Sequence, residues 1–256
     1  MFYHNINPTL IKIGELEIRY YGLIFLFGII LSYFLTIYLA KKSELKIQKN
    51  QISDLIFYLI IGIVLFSRLF YVLIYNLKYY LTYPYEIIAI WHGGLSFHGG
   101  LVGAIIVGYI YCKKKGLNFY KIADIMVIPA ALALSFGRIA NFINGELVGR
   151  ITDVPWAVKF PNYEGFRHPS QLYEAAKNLA IFFILYFMKI KNKIKDGLIF
   201  WSFIILYASL RFFIEFFREP DFLVYNLTPG QLLCLIMFVI GVIGITRVLF
   251  FYPSPE

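Results

Sequence analysis

The chain is short of charged residues and of cysteine, and each shortage excludes a class of protein. Only 15% of its 256 residues are charged and 60% are hydrophobic, whereas soluble globular chains carry about 25% charged residues. The two cysteines, Cys112 and Cys234, give neither a disulfide framework nor a metal-ligand spacing. A soluble domain and a disulfide scaffold are excluded, and any thiol used in chemistry is expected to come from another molecule.

Apolar runs take the place of the missing charge. They are about twenty residues long, enough for a helix to cross a hydrocarbon core of ~30 Å. We predict an all-α polytopic membrane protein with about seven transmembrane helices, formed as one domain over residues 1–256. The runs lie near residues 18–40, 52–77, 95–112, 122–143, 172–190, 197–217 and 230–251. The long connection 144–171 holds helix breakers such as Pro155 and Pro161, which predicts a small extracytoplasmic lobe.

Lysine clusters occur in every second connection between the predicted spans. The first, third and fifth connections hold lysine clusters that include Lys41, Lys113 and Lys189, whereas the second offers only Lys78. By the positive-inside rule the odd connections are cytoplasmic, which predicts the N-terminus outside and the C-terminus in the cytoplasm. These loops account for the net charge of +9, so no nucleic-acid partner is expected.

Several polar side chains interrupt the predicted spans, where an ionisable group is costly and marks a site by default. They are Arg68 in the second span, Arg138 and Asn141 at the end of the fourth, and Arg211, Glu215 and Arg218 along the sixth. Offsets of four and seven residues put the last three on one helix face. Two plainer interpretations stay open. In the first, Arg211 and Glu215 form a buried pair that only fixes packing. In the second, the long side chain of Arg218 reaches the membrane interface by snorkelling.

The arginines are predicted to share one depth. At ~1.5 Å per residue, Arg68, Arg138 and Arg211 lie roughly 20–25 Å from the cytoplasmic ends of their helices. His98 and Tyr21 enter from the outer side and reach the same level. Guanidinium groups suit a bidentate anion such as phosphate, and a histidine of pKa ~6.5 suits proton transfer. The pattern predicts a site for the head group of an outer-leaflet phospholipid.

The segment HGGLSFHGG, residues 92–100, places four glycines beside His98. One interpretation is a re-entrant segment that opens a polar cavity, where unusual backbone dihedrals are tolerated. The other interpretation is a helix-packing surface. The neighbouring histidine favours the cavity.

GRIANFINGELVGR, residues 137–150, closely resembles the signature of the prolipoprotein diacylglyceryl transferase family. Further segments resemble that family's segments in the same order, from about residue 17 to residue 251: RYYGL, SRLFYV, WHGGLSFHGGLVG, GRITDVPWAVKFP, RHPSQLYEA, RFFIEFFREPD and TPGQ. The departures are small, namely Val148 where a bulkier residue is common, and short loops.

The resemblance implies a multi-pass enzyme of the bacterial cytoplasmic (inner) membrane. The implied reaction transfers diacylglycerol from phosphatidylglycerol to the thiol of a lipobox cysteine, forms a thioether and releases glycerol 1-phosphate. The implied partners are phosphatidylglycerol, the prolipoprotein signal peptide and membrane lipid, and neither a cofactor nor a metal is expected. The substrate then supplies the thiol that this chain lacks.

The resemblance also assigns residues. Catalytic roles fall to Tyr21, His98, Arg138 and Arg211; the arginines hold the phosphodiester, and His98 is the first choice for the base that takes the thiol proton, with Tyr21 or a water second. The substrate-binding positions are Arg68, Arg138, Asn141, Glu146, Gly149, His168, Glu215 and Arg218. Within this set Glu215 is expected to orient Arg211, and Gly149 to permit a tight turn.

Two rival functions come from other classes. A transporter or channel also uses broken helices and membrane arginines, but it predicts symmetry between the halves and charges near the midplane. An intramembrane protease needs its own nucleophile with a partner, or a carboxylate pair. No serine–histidine arrangement or paired aspartates stand out in the predicted spans, so the sequence favours the transferase.

Overall fold

The long helices follow the apolar runs of the sequence. The computed structural model describes residues 1–14, 16–43, 45–191, 194–220 and 223–251. Its helices are α1 (Tyr20–Lys42), α2 (Lys49–Phe70), α3 (Leu77–Thr82), α4 (Phe97–Lys115), α5 (Phe119–Asn144), α6 (Ser170–Lys191), α7 (Leu198–Ile214) and α8 (Pro229–Phe251). Every predicted span overlaps one long helix, and most of the bounds differ by a turn or less.

Most of the long helices have the length and the apolar composition of membrane-spanning helices. Within the described part of the chain, five segments are long and apolar enough to cross a membrane: Tyr20–Lys42, Lys49–Tyr75, Phe119–Asn144, Leu198–Phe217 and Pro229–Phe250. The predicted class, a mostly helical multi-pass membrane protein, is confirmed. The helices α4 and α6 match the two other predicted spans in position. The total of seven spans and the orientation of the termini stay predictions.

The described part of the chain has four short strands that the apolar runs do not predict, three before α1 and one between α5 and α6. They are β1 (Phe2–Tyr3), β2 (Thr9–Ile13), β3 (Leu16–Arg19) and β4 (Val158–Lys159). β2 and β3 form an antiparallel hairpin that leads directly into α1. β1 pairs in parallel with β4, so that Phe2 lies opposite Val158. The first residues of the chain are thereby tied to the connection between α5 and α6.

The chain divides into two compact units, residues 37–123 and residues 1–36 with 124–256. In the unit of residues 37–123, α2 packs against α4 through glycines. A Cβ atom on Gly103 would lie 2.5 Å from the carbonyl oxygen of Gly62, and one on Gly99 would overlap the carbonyl oxygen of Phe66. Gly99 and Gly100, which lie on α4, therefore form a helix-packing surface, the second interpretation of HGGLSFHGG. Gly93 and Gly94 have φ of 82° and 75°, the unusual dihedrals of the first interpretation, and the cavity stays a prediction.

In the other unit, α7 packs against both α6 and α8. The connection between α5 and α6 has a small core of its own, formed by Val148, Val158 and Phe160 under Phe142 and Tyr163. His4, 3% exposed, lies 2.7 Å through its Nε2 from the carbonyl oxygen of Phe142. This core fixes the path of the chain immediately after Arg138 and Asn141.

α7 begins at a carboxylate that another helix supplies. The side chain of Asp124, on α5, accepts hydrogen bonds from the backbone N–H groups of Gly197 and Phe200, both at 2.7 Å. A negative charge at a helix N-terminus satisfies donors that have no partner within the helix and opposes the helix dipole. Asp124 is 2% exposed, and it fixes α7 against α5, the two helices that carry Arg211 and Arg138.

Candidate active site

Glu174 on α6 lies at the centre of a buried group of charges, called here the arginine cluster: Arg138, Glu174, Lys177, Arg211 and Glu215. Arg211 donates through Nη1 to Oε1 of Glu174, and Nζ of Lys177 lies 2.9 Å from Oε2 of the same carboxylate. Nε of Arg138 lies 3.7 Å from that second oxygen. Guanidinium groups from α5 and α7 thus meet at one carboxylate, and each side chain of the cluster is at most 18% exposed.

Arg211 is held from two sides. Besides its bond to Glu174, its Nη2 lies 2.6 Å from Oε2 of Glu215, one helical turn further along the chain. Oε1 of Glu215 accepts a hydrogen bond of 3.2 Å from the hydroxyl of Thr228, and Nε of Arg218 lies 3.9 Å from Oε2. Glu215 makes the contact that an orienting role for Arg211 requires.

Arg138 is the least committed cation of the cluster. Among the described residues its polar contacts are the 3.7 Å approach to Glu174 and a hydrogen bond of 3.4 Å from Nη1 to Oδ1 of Asn141. Both are longer than an ordinary charge-assisted bond of about 2.7–2.9 Å. Asn141 in turn donates to Oε1 of Glu146 at 2.7 Å. Most donors of Arg138 are therefore available to an anionic ligand, with Asn141 and Glu146 arranged beside it.

Gly149 lies where three stretches of backbone meet. Its N–H donates to the carbonyl oxygen of His168 at 3.0 Å, and it faces Arg218 in an antiparallel bridge. A Cβ atom here would lie 2.5 Å from the carbonyl oxygen of Phe217 and 2.6 Å from that of His168. The expected tight turn is instead at Gly145 and Leu147, where φ is 67° and 56°. Gly149 serves a close approach of backbones, which corrects the prediction of a turn.

His168 takes part in a short chain of hydrogen bonds. The indole N–H of Trp156 donates to the hydroxyl oxygen of Tyr173 at 2.7 Å, and that hydroxyl lies 3.1 Å from Nδ1 of His168. Because indole can only donate, the hydroxyl oxygen of Tyr173 is the acceptor in its contact with Trp156. Burial lowers the pKa of His168 below its ordinary 6.5. The ring is therefore neutral at pH 7.

Arg68, in the unit of residues 37–123, has a different environment. Nε donates to the carbonyl oxygen of Ile87 at 3.0 Å. The two terminal nitrogens donate to the carbonyl oxygens of Glu86, Ala89, Gly93 and Gly94. A guanidinium has five N–H groups, and each has a backbone acceptor here. Arg68 thus organises residues 86–94, and this geometry favours a structural role over the predicted contact with substrate.

His98 and Tyr21 lie at the beginnings of their helices. His98 is the second residue of α4, and its ring meets Phe97 edge-on at 5.6 Å. Tyr21 is the second residue of α1, and its ring stacks on Phe25 at 6.5 Å. Among the described residues Tyr21 makes no hydrogen bond to the arginine cluster. The predicted base roles of the two side chains stay predictions.

Two residues of the cluster, Glu174 and Lys177, are absent from the sequence-based assignment. Both lie in SQLYEAAK on α6, three residues apart and so on one helix face. An ionisable pair inside a predicted span was the signal that could have found them. As for metals, no group of three or more His, Cys, Asp or Glu side chains that could hold an ion occurs in the described ranges.

Known proteins are similar to this chain along almost its whole length. The family model described as prolipoprotein diacylglyceryl transferase matches residues 8–247. The phosphatidylglycerol–prolipoprotein diacylglyceryl transferase of Geobacter sulfurreducens is 43% identical over 246 residues, which cover 94% of this chain and 95% of that protein. The proteins of the same name from Rickettsia akari and Legionella pneumophila are 43% and 39% identical, and each match covers 94% of this chain and 96% of the relative.

Proposed function

The chain belongs to the prolipoprotein diacylglyceryl transferase family, and from that premise we propose that its arginine cluster holds the phosphate of a lipid substrate. The protein is a transferase that moves the diacylglyceryl group of phosphatidylglycerol to prolipoproteins. In finer terms, the acceptor is the thiol of the lipobox cysteine in the signal peptide, and the product is a thioether. The enzyme acts in the bacterial cytoplasmic (inner) membrane, with its N-terminus outside and its C-terminus in the cytoplasm.

One observation carries the assignment of the site: guanidinium groups of two helices meet at Glu174. Arg211 is fixed by two carboxylates and is therefore preorganised. Arg138 makes long contacts, which phosphate oxygens can replace at little cost. A planar guanidinium binds a phosphate through two parallel hydrogen bonds. The pair thus suits a phosphodiester that enters from the lipid.

The reaction exchanges one bond to carbon for another. The sulfur of the acceptor cysteine attacks the glyceryl carbon next to the phosphate, the C–S bond forms, and the C–O bond to phosphate breaks. The electron pair of that bond goes to the departing glycerol 1-phosphate, whose negative charge grows in the transition state. Arg211 and Arg138 lower the barrier because they are aimed at the oxygens where this charge develops.

The neighbouring polar groups have supporting roles in this proposal. Asn141 and Glu146 order Arg138 and the head group through the hydrogen bonds described above. Arg218 adds positive charge beside Glu215, and His168 binds the head group. Gly149 keeps this edge of the site closely packed.

A base completes the reaction, because a thiol of pKa ~8.5 is mostly protonated at neutral pH. We assign that role to His98, with Tyr21 or a water as the second choice. Replacing His98 by Gln is expected to lower kcat at least tenfold and to leave KM for phosphatidylglycerol nearly unchanged. Steady-state kinetics at several lipid concentrations separate the two constants. Unchanged turnover would remove His98 as the base.

A direct assay tests the function as a whole. Purified protein is incubated with phosphatidylglycerol vesicles and a peptide that contains a lipobox cysteine, and the peptide is weighed by mass spectrometry. The expected result is a mass gain equal to one diacylglyceryl group, together with release of glycerol phosphate. A peptide with serine in place of cysteine is the control and should stay unmodified. An unmodified cysteine peptide, with folded protein present, would overturn the proposal.

A further inference from the structure

We propose that Lys177 is a positioning residue for lipid binding, which keeps Arg138 available to the phosphodiester by occupying the carboxylate that would otherwise capture it. This inference rests on the proposed function of the arginine cluster. It concerns a residue that the resemblance does not assign, and one that does not itself touch the lipid.

The oxygens of Glu174 are divided unequally among three cations. Oε1 accepts from Arg211. Oε2 lies 2.9 Å from Nζ of Lys177, but 3.7 Å from Nε of Arg138. The nearer ammonium therefore satisfies Oε2, and the guanidinium of Arg138 is left at a distance beyond a hydrogen bond.

The surroundings of Lys177 fix its ammonium at that oxygen. The side chains of Lys177 and Glu174 are each 2% exposed, and Nζ of Lys177 lies 3.8 Å from the centre of the Tyr207 ring. A buried cation without a partner is strongly disfavoured, so the ammonium has reason to stay between the carboxylate and the aromatic face. At 2% exposure it is in no position to bind the lipid itself.

Removing Lys177 changes what Arg138 does. Without the ammonium, Oε2 of Glu174 is a buried negative charge with an open position, and Nε of Arg138 lies 3.7 Å from it. Its guanidinium is expected to turn toward Oε2 and form a close ion pair. The donors used in that pair are lost to the phosphodiester, so the lipid has to break the pair before it binds. The cost appears in lipid affinity and much less in the chemical step.

Kinetics of the full-length protein test this proposal. In the peptide lipidation assay, Lys177→Met is expected to raise KM for phosphatidylglycerol about tenfold and to change kcat by less than about threefold. Lys177→Arg restores a cation at Glu174 and should return KM to within about threefold of the parent value. A side chain that matters only for folding would lower the yield and the Tm of Lys177→Met and leave KM unchanged, and Arg would have no reason to rescue KM.

The neighbouring residue Asn178 provides a matched control. It is 1% exposed on the same helix and makes no hydrogen bond to Glu174 within the described residues. Asn178→Leu should leave KM for the lipid at the parent value. If Lys177→Met does not fold, Lys177→Gln carries the same test, because it also removes the charge.

The failures of the two proposals are distinguishable. Parent protein without transfer activity would overturn the proposed function, and this inference with it. Active parent protein combined with an unchanged KM in the charge-free variants would overturn the inference alone. A KM that Lys177→Arg fails to restore would also overturn it, since the charge would then not be what matters.

Discussion

Arg68 and Arg138 belong to the same residue type and lie in long apolar helices, yet they have opposite kinds of partner. All five N–H groups of Arg68 meet backbone carbonyl oxygens of residues 86–94. Arg138 meets only side chains among the described residues, at 3.4 Å and 3.7 Å. Backbone acceptors are fixed by the fold, whereas long side-chain contacts can be exchanged for a ligand. The number of committed donors therefore separates a structural arginine from a binding one.

The same contrast divides the two ends of α5. At one end Asp124 has both oxygens engaged by backbone N–H groups at 2.7 Å. At the other end Arg138 keeps donors available. One helix thus carries a charge that holds the fold and a charge suited to chemistry. Substitutions at each position should affect stability in the first case and activity in the second.

The largest effect is expected for Arg68→Met. This change leaves five backbone carbonyl oxygens without their donor, that of Ala89 in a buried contact and the others in partly buried ones. A lost buried hydrogen bond costs about 1–3 kcal/mol, so the total loss of stability should exceed about 3 kcal/mol. Thermal unfolding in detergent and the yield of folded protein measure the loss, and lipidation activity is compared per folded molecule. Arg68→Lys, with three donors, should fall between the parent and Met. Parent-like unfolding together with lost activity would show that Arg68 serves binding and not the fold.

The second effect is on activity, at Arg138→Lys. Lysine keeps the charge but loses the planar fork, so kcat/KM for lipidation should fall about 100-fold, equivalent to about 2.7 kcal/mol. The Tm should stay close to that of the parent protein, because Arg138 makes only long contacts. Steady-state lipidation kinetics and thermal unfolding are measured on the same preparation. A variant with full turnover would refute the phosphate clamp.

How far the sequence could predict this molecule differs between helices and site. Apolar runs fix the helices well: the predicted span 122–143 corresponds to α5 (Phe119–Asn144), and 230–251 to α8 (Pro229–Phe251). The pairing of β1 with β4 was not predictable, because strands of two residues carry no periodicity and their partners are far apart in the chain. The apolar pattern gives the helices but not the short connections between distant segments.

Of the arginine cluster, the sequence predicted Arg138, Arg211 and Glu215 but not Glu174 or Lys177, and the roles of the site residues stay predictions. Arg68 and Arg138 look alike in the sequence. Only the fold of residues 86–94 reveals that backbone carbonyl oxygens accept hydrogen bonds from all the N–H groups of Arg68. Glu174 was not predicted as a partner of Arg211, because the two residues lie on different helices. Contacts between helices depend on packing geometry, which a single sequence does not specify.

The third effect is expected at Gly149, where the backbone packs closely beside the site. Gly149→Ala brings a methyl group within 2.6 Å of two carbonyl oxygens, those of Phe217 and His168. Backbone has to move, at a cost of about 2 kcal/mol, and activity should fall as well because Arg218 and His168 shift. Gly137→Ala is the matched control, since a Cβ on Gly137 meets nothing within 4 Å. Equal behaviour of the two variants in thermal unfolding would contradict the close approach at Gly149.

The smallest expected effect, at Asp124→Asn, tests the other end of α5. The amide keeps one oxygen for the N–H of Gly197 or Phe200 but loses the charge and the second acceptor, so stability should drop by about 1–2 kcal/mol. Lipidation per folded molecule should stay near the parent value, because Asp124 holds α7 and touches no reacting group. Asp54→Asn, at an exposed carboxylate of α2, should change stability by less than about 0.5 kcal/mol. A loss of activity in Asp124→Asn without any loss of stability would mean that a charged side chain bonded only to backbone groups can still serve the reaction. The distinction between Arg68 and Arg138 would then no longer hold.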